Sequence, residues 1–363
     1  MLAVNIAIMA GLVIYKYYLG NPLVQYTYLL ATYDLGFMKR ALVGTVLALF
    51  DHKVKIIDVF VIALAAWLVT MALFVLLFKR TFGFAGDRFA LFVFAFGSPF
   101  FFKNLFHTYG FFDIYGCLFA IVVLLIPVNR LFPLVVGAGS AALVLIHHLH
   151  FLLYVPTIAV IAVIRFYCLR PFSPLDIVYG GIAALPVLAA FMASMFFGNA
   201  PVAPAQLIEQ FRTRAADPLI YTNISIWYTS MAEELAKTAA EFPKNGPRLP
   251  VFFAFIALHW PLIRFMRRLH SAIAAKSHRL IVLLGIAGIT AGYVNIFIFV
   301  YDYGRWFSSW FICMILLMHA MARLQAHSRT PPPAFSTPET QKGDVIYGWI
   351  VTAIPRVGLQ IPF

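Results

Sequence analysis

The sequence predicts an all-α fold: a polytopic transmembrane helical bundle of about ten spans, with juxtamembrane helices and a small helical cap on its outer face. Three observations carry this. First, 63% of the 363 residues are hydrophobic, only 11% are charged, and the mean hydropathy is +0.89. A soluble domain carries about 25% charged residues, so the bilayer must be the solvent for most of this chain. Second, the apolar runs, such as Ile56 to Phe78, are long and do not alternate with polar residues. Helices and closed barrels alone satisfy their backbone in lipid, and these runs have the helical form. Third, the basic residues are unevenly spread, as membrane topology requires.

Ten segments read as spans: 2–19, 56–78, 88–103, 112–129, 132–147, 150–166, 176–197, 249–266, 280–300 and 306–323. The pair over 132–166 must fit two short helices around His147-His148-Leu149-His150, with Pro156 early in the second, so a re-entrant hairpin stays open there. The N-terminus lacks a basic region and a small-residue cleavage site, so its apolar run reads as a retained helix. Placing that terminus inside puts the basic run Arg264–Arg279 on the cytoplasmic side, with the C-terminus. This bias accounts for most of the formal charge of +13, which in a soluble protein would raise nucleic-acid binding. No nucleic-acid partner is expected. The three cysteines, Cys117, Cys168 and Cys313, are widely spaced in apolar surroundings and read as core residues.

The bundle then covers 1–325, with outer-face segments at 21–55, 104–112, 198–248 and 301–305. Residues 21–55 hold an amphipathic stretch from Phe37 to Phe50, read as an interfacial helix. Residues 198–248 form the largest hydrophilic segment and the cap, with helical patterns around Gln206–Arg214 and Thr229–Phe242. Residues 326–363 read as a cytoplasmic tail, disordered where Pro, Ser and Thr cluster, with a short apolar stretch at Val345–Ile354. No internal repeat is visible, which disfavours transporters built from inverted repeats.

Four stretches with chemical potential fall on the outer face. The first runs from Tyr33 through Asp34 to Lys39 and Arg40. Asp34 suits a general base, and the two cations suit phosphate; helix capping and headgroup contact are the plainer alternative. The second is Gly97 to Asp113, reading GSPFFFKNLFHTYGFFD, where Asp113 opens an apolar helix after Lys103 and His107. The helix dipole favours an acid there, yet an ionisable group at the membrane edge also marks a candidate site. In the third, His147 and His150 are spaced to share a helix face, for phosphate or a metal. These residues single out no cofactor, and a divalent metal stays open. The fourth is Tyr301 to Trp306, where Arg305 either pairs with Asp302 or clamps a phosphate. In the cap, Arg212 and Arg214 are further anion candidates, and Trp227 and Tyr228 face the membrane or an acceptor.

This layout resembles the GT-C superfamily of membrane glycosyltransferases. Asp34 matches the acid that these proteins place in the first outer loop, and Ser98-Pro99 followed by Asp113 matches their second motif. His147 followed by Pro156 is similar to a later basic-residue and proline pattern. The likeness covers roughly residues 1–165 and lacks the WWDYG-type motif of oligosaccharyltransferases. It implies a polyprenyl-phosphate sugar as donor and a glycan or lipid-linked acceptor, in the bacterial inner or plasma membrane. It further implies Asp34 as base, Asp113 assisting, and Lys39, Arg40, His107, His147, His150 or Arg305 at the phosphate. The rivals are an O-antigen-type polymerase or ligase working through outer-loop arginines, a membrane acyltransferase using the histidines, and a lipid or solute transporter.

Overall fold

The computed structural model describes residues 1–20, 22–50, 53–171, 173–220, 224–299, 302–327, 333–336 and 340–355. It is all-helical, 77% helix, with no strand among the described residues. In chain order the helices are α1 (Leu2–Leu19), α2 (Leu23–Leu30), α3 (Leu42–Ala48), α4 (Ile56–Thr81), α5 (Asp87–Phe96) and α6 (Phe102–His107). Next come α7 (Asp113–Leu125), α8 (Phe132–Ile146), α9 (His150–Leu153), α10 (Val155–Val163), α11 (Pro174–Phe196) and α12 (Pro204–Arg214). Last are α13 (Met231–Asn245), α14 (Leu249–Ala257), α15 (Trp260–Ser271), α16 (Lys276–Phe299), α17 (Tyr303–His327) and α18 (Gln341–Ala353).

Six helical stretches are long and apolar enough to cross a membrane: α1, α4, the run His150–Cys168, α11, α16 and α17. The pair α14–α15, bent by 65°, makes a seventh if counted as one span. The ten segments read from the sequence are all largely helical, but α7 and α8 are shorter than a full crossing. Where helices start, the local chemistry is visible. Asp58 accepts from the Lys55 backbone N–H at 2.7 Å at the head of α4, and Asp176 from that of Ser173 at 2.9 Å at the head of α11. Each satisfies a donor that the helix itself leaves free.

α17 is the axis of the bundle. Of its most apolar stretch 89% is buried, against 11% for α1 and 17% for α11, whose outward faces stay open to lipid. Around α17 a phenylalanine cluster joins Phe74 and Phe78 of α4 to Phe92, Phe96 and Phe102, with the Phe74 and Phe101 rings 4.8 Å apart, edge to face. Aromatic packing of this kind supplies dispersion where the hydrophobic effect drives nothing between helices.

Two expectations are corrected here. Residues 88–103 do not form one continuous helix: the helix stops at Phe96 and resumes at Phe102. Nor does the stretch from Gly97 to Asp113 run across an outer face. Ser98 is fully buried, its hydroxyl 2.8 Å from His259 Nε2 at the α14–α15 bend. Phe100, Phe101, Phe102 and Lys103 are buried as well. Pro99 denies the helix a continuing N–H, and the freed polar groups find partners inside the bundle.

The tail is described in part. Its stretches 328–332, 337–339 and 356–363 lie outside the described residues. Between them Phe335 is buried, its N–H donates to Asp87 Oδ2, and its carbonyl accepts from Arg268. Arg264 grips both oxygens of Asp344 at 2.5 and 2.6 Å. α18 then packs on α5 and α1, and Lys103 Nζ donates to Thr352 O at 2.5 Å and Ile354 O at 3.2 Å. A buried cation thus closes the carbonyl end of α18, where the helix dipole favours it.

A second core ties the cap to the first outer segment. Tyr28, Leu30, Met38, Phe112, Phe211 and Trp227 pack together, and Tyr26 donates to Val54 O at 2.8 Å. The backbone N–H of Ile56 donates to Asp217 at 2.6 Å, and Val54 pairs with Ala215. Gly44 permits the close fit of α3: a Cβ there would sit 2.0 Å from Ala31 O.

Candidate functional site

Asp113 is the first residue of α7, 2% exposed, where the helix dipole favours a negative charge. Arg305, in the first turn of α17, donates to its Oδ2 from both Nε (2.9 Å) and Nη2 (2.7 Å). The third nitrogen, Nη1, reaches Asp302 Oδ2 at 3.3 Å. The guanidinium carbon lies 4.4 Å from the Phe111 ring centroid and 4.8 Å from that of Trp306. Two carboxylates and two ring faces therefore hold one cation, a setting that suits the weakly hydrated, planar guanidinium. Arg305 does pair with Asp302, as the sequence allows, but its main partner, Asp113, lies 192 positions earlier in the chain. Asp113 Oδ1 is buried and has no hydrogen-bond partner among the described residues.

The histidines lie against the same corner. His150 is fully buried and gives Nε2 to Phe112 O at 3.1 Å, which puts the proton on Nε2 and leaves Nδ1 as an acceptor without a partner. His147 Nδ1 accepts from the Leu149 N–H at 3.2 Å, and its ring centroid is 5.4 Å from that of His148 and 5.7 Å from that of His150. Gly116 of α7 makes room, since a Cβ there would fall 3.0 Å from His150 Cε1 and 2.2 Å from the Tyr154 ring. His148 sits in the turn between α8 and α9. Burial, reinforced by the positive charges of Arg40 and Lys39, holds its imidazole well below the usual value, so it is neutral at pH 7.

Arg40 closes the cluster from the first outer segment. It is buried and donates from Nη1 to the Tyr28 hydroxyl at 2.7 Å, and the Tyr28 ring lies 5.4 Å from that of Phe112. With φ at 64°, it is the one non-glycine residue at positive φ among the described residues. That left-handed conformation costs a non-glycine residue about 1–2 kcal/mol, so the surrounding contacts must hold it. Beside it, Lys39 Nζ donates to Thr229 O at 2.8 Å and lies 3.9 Å from Glu234, while the Trp227 indole N–H donates to Lys39 O at 2.9 Å. Burial lowers the Lys39 ammonium from its ordinary value, with Glu234 pulling the other way.

Asp34 stands apart from this buried group. It is exposed, and its Oδ2 accepts from the Thr32 hydroxyl at 2.7 Å. Gln210 of the cap donates to that same hydroxyl at 2.7 Å, and Arg214 lies within electrostatic reach of Asp34. Gly36, with φ at +110°, lets the cap close over this loop: a Cβ would fall 2.8 Å from Pro201 Cγ.

The remaining candidates scatter. His107 is half-buried at the end of α6. Arg212 is exposed and pairs with Glu209 at 3.5 Å, and Arg214 donates to Gly44 O at 3.1 Å. Trp227 is fully buried, and Tyr228 donates to Val202 O at 2.8 Å, so both hold the cap together. Among the described residues no three His, Cys, Asp or Glu side chains gather as a metal site. Sequence reasoning overlooked Tyr28 and Phe111, which shape the faces around Arg40 and Arg305. Their only signal is their position a few residues from a charged motif. It also overlooked the Ser98–His259 contact, which joins residues 161 positions apart.

Helix length, apolar surface and buried charge together define an integral membrane protein with a polar cluster at one end of its bundle. Compared with known proteins, the chain matches no family model, no curated protein and no solved structure.

Proposed function

We propose that the chain is an integral membrane glycosyltransferase, moving a sugar from a polyprenyl-phosphate donor to a glycan or lipid-linked acceptor on the outer face. The observation that supports this reading is a contrast in burial. One carboxylate, Asp34, is exposed beside the cap, held through Thr32 and Gln210, while guanidinium and imidazole groups of Arg305, Arg40, His147 and His150 belong to the enclosed cluster. In this reading the chain crosses a bacterial inner membrane ten times with both termini inside, the shorter and broken segments included.

The chemistry is a direct displacement. The acceptor hydroxyl oxygen attacks the anomeric carbon and gives its proton to Asp34, so that the new glycosidic bond forms with inversion. The bond from that carbon to the phosphate oxygen breaks, and the electron pair leaves with the polyprenyl phosphate. Arg305 and Arg40 face the charge that develops there, and a preorganised cation in a dry wall is worth far more than one in water. Asp113 acts through Arg305 as a positioning residue. Acceptor and donor lipid are thus brought to one aqueous edge of the bundle.

The test is transfer of a radiolabelled sugar from a polyprenyl-phosphate donor by the protein in lipid nanodiscs. Asp34→Asn should abolish transfer while donor lipid still binds. If Asp34→Asn is active and Arg212→Ala or Arg214→Ala is dead, the polymerase reading replaces this one.

A further inference from the structure

A cavity of about 340 Å³ opens between the bent pair α14–α15 and the facing sides of α16 and α17. Its volume lies in the range of ligand pockets. Leu262 and Met266 of α15, Ile286 of α16, and Trp310 and Met314 of α17 line an almost wholly apolar wall. The cavity has a direction, since Trp310 and its most distant α17 neighbour, Met318, are separated by about 12 Å of helical rise along the bundle.

Two polar side chains stand at one end of it, Arg267 and His270. They belong to the run Arg264–Arg279, which contains no acid. Three other side chains of that run are engaged, Arg264 by Asp344, Arg268 by Phe335 O, and His270, whose Nε2 donates to Arg279 O at 3.0 Å. Arg267 is exposed and forms no ion pair among the described residues. The pair α14–α15 that forms one wall is bent by 65°. α15 buries Leu262, Phe265 and Leu269 and turns Arg267 outward, the pattern of a helix lying at the headgroup level.

We infer that this cavity holds one acyl chain of an anionic glycerophospholipid from the cytoplasmic leaflet, with the headgroup phosphate on Arg267. An apolar slot parallel to the bundle, with cations only at its inner rim, complements that lipid in both shape and charge. A zwitterionic headgroup brings a quaternary ammonium beside its phosphate, whereas an anionic one offers Arg267 a net negative charge. The site stands whether or not the outer-face reading holds.

Trp310 makes the test direct, because its indole N–H donates to Thr290 at 3.1 Å and fixes the ring in the wall. The full-length protein is placed in phosphatidylcholine vesicles containing a small fraction of phosphatidylglycerol brominated on its acyl chains, and fluorescence quenching is read against a Trp310→Phe control. The Trp310-dependent quenching should reach half its maximum at about fivefold less brominated phosphatidylglycerol than brominated phosphatidylcholine. Arg267→Gln should remove that preference and leave ordinary quenching. Ile286→Phe, which fills the slot, should remove the Trp310-dependent quenching altogether, while Arg267→Gln keeps the test open should the filled variant fail to fold. Equal quenching by the two brominated lipids, or none that depends on Trp310, overturns the inference.

Discussion

Arg305 binds Asp113 through two nitrogens, at 2.9 and 2.7 Å, although 192 positions separate them in the chain. The contact joins the first turn of α17 to the first turn of α7, so it fixes the bundle's central helix against the helix that carries the buried acid. Removing one partner of a buried pair leaves an uncompensated charge, which costs about 3–5 kcal/mol. Asp113→Ala should therefore lower the unfolding free energy by about 3 kcal/mol. Asp113→Asn, which keeps an acceptor oxygen, should cost less. Replacing both residues together, Asp113→Ala with Arg305→Met, should recover much of the loss. Unfolding in mixed micelles for the wild type, Asp113→Ala, Arg305→Met and the double variant measures this, and additive losses in the double variant refute the coupling.

Asp34 should behave in the opposite way. It is exposed and its one described side-chain partner is Thr32, so Asp34→Asn should change stability by less than about 0.5 kcal/mol. If it is the base, transfer should nonetheless fall by about 100-fold or more. A variant that unfolds as readily as Asp113→Ala would mean that Asp34 is structural. Thermal unfolding beside sugar transfer separates the two roles.

The membrane class and the helices were legible because apolar composition and periodicity report what touches lipid, and those signals are local. The cap helices α12 and α13 occupy the one long hydrophilic segment, where Ser230 and Glu233 write a capping box into the sequence. What was not legible is long-range. Nothing near Lys103 says that its partners are Thr352 and Ile354. Nothing near Ser98 announces His259. The sequence also groups Asp34 with Lys39 and Arg40 as neighbours, whereas burial separates them: the two cations turn inward and the acid stays out. Such a division depends on which side of a turn packs against the cap, and spacing alone does not encode it.

His148 gives a pH dependence of known sign. Its imidazole is held below the ordinary value by burial and by nearby positive charge, so between the two values the unfolded chain binds the proton and the folded chain does not. Stability contributed by this group is complete above about pH 6.5 and is lost as the pH falls below it. His148→Asn should flatten the acid side of the stability profile between about pH 6.5 and 5 and leave the profile above pH 7 parallel to the wild type. Unfolding midpoints across that range measure the effect. Equal slopes for the two proteins would show that another group carries the acid sensitivity.

Lys103 should control the order of the tail. Its ammonium lies fully buried among phenylalanines and closes the carbonyl end of α18 through Thr352 and Ile354. Lys103→Met fills nearly the same space without the donors, so the surrounding packing is retained while two carbonyls lose their partner, at about 1–3 kcal/mol. The Arg264–Asp344 contact, at 2.5 and 2.6 Å, holds the other end of the helix. The expected result is a hinged release: in Lys103→Met, amide exchange over Gly348–Ala353 quickens by at least tenfold while the first turn stays protected. Arg264→Ala should instead loosen the first turn, and the double variant should free the whole helix. Exchange measured by mass spectrometry on the three proteins decides this. Unchanged protection over α18 in Lys103→Met would mean that its packing on α5 and α1 holds it without the cation.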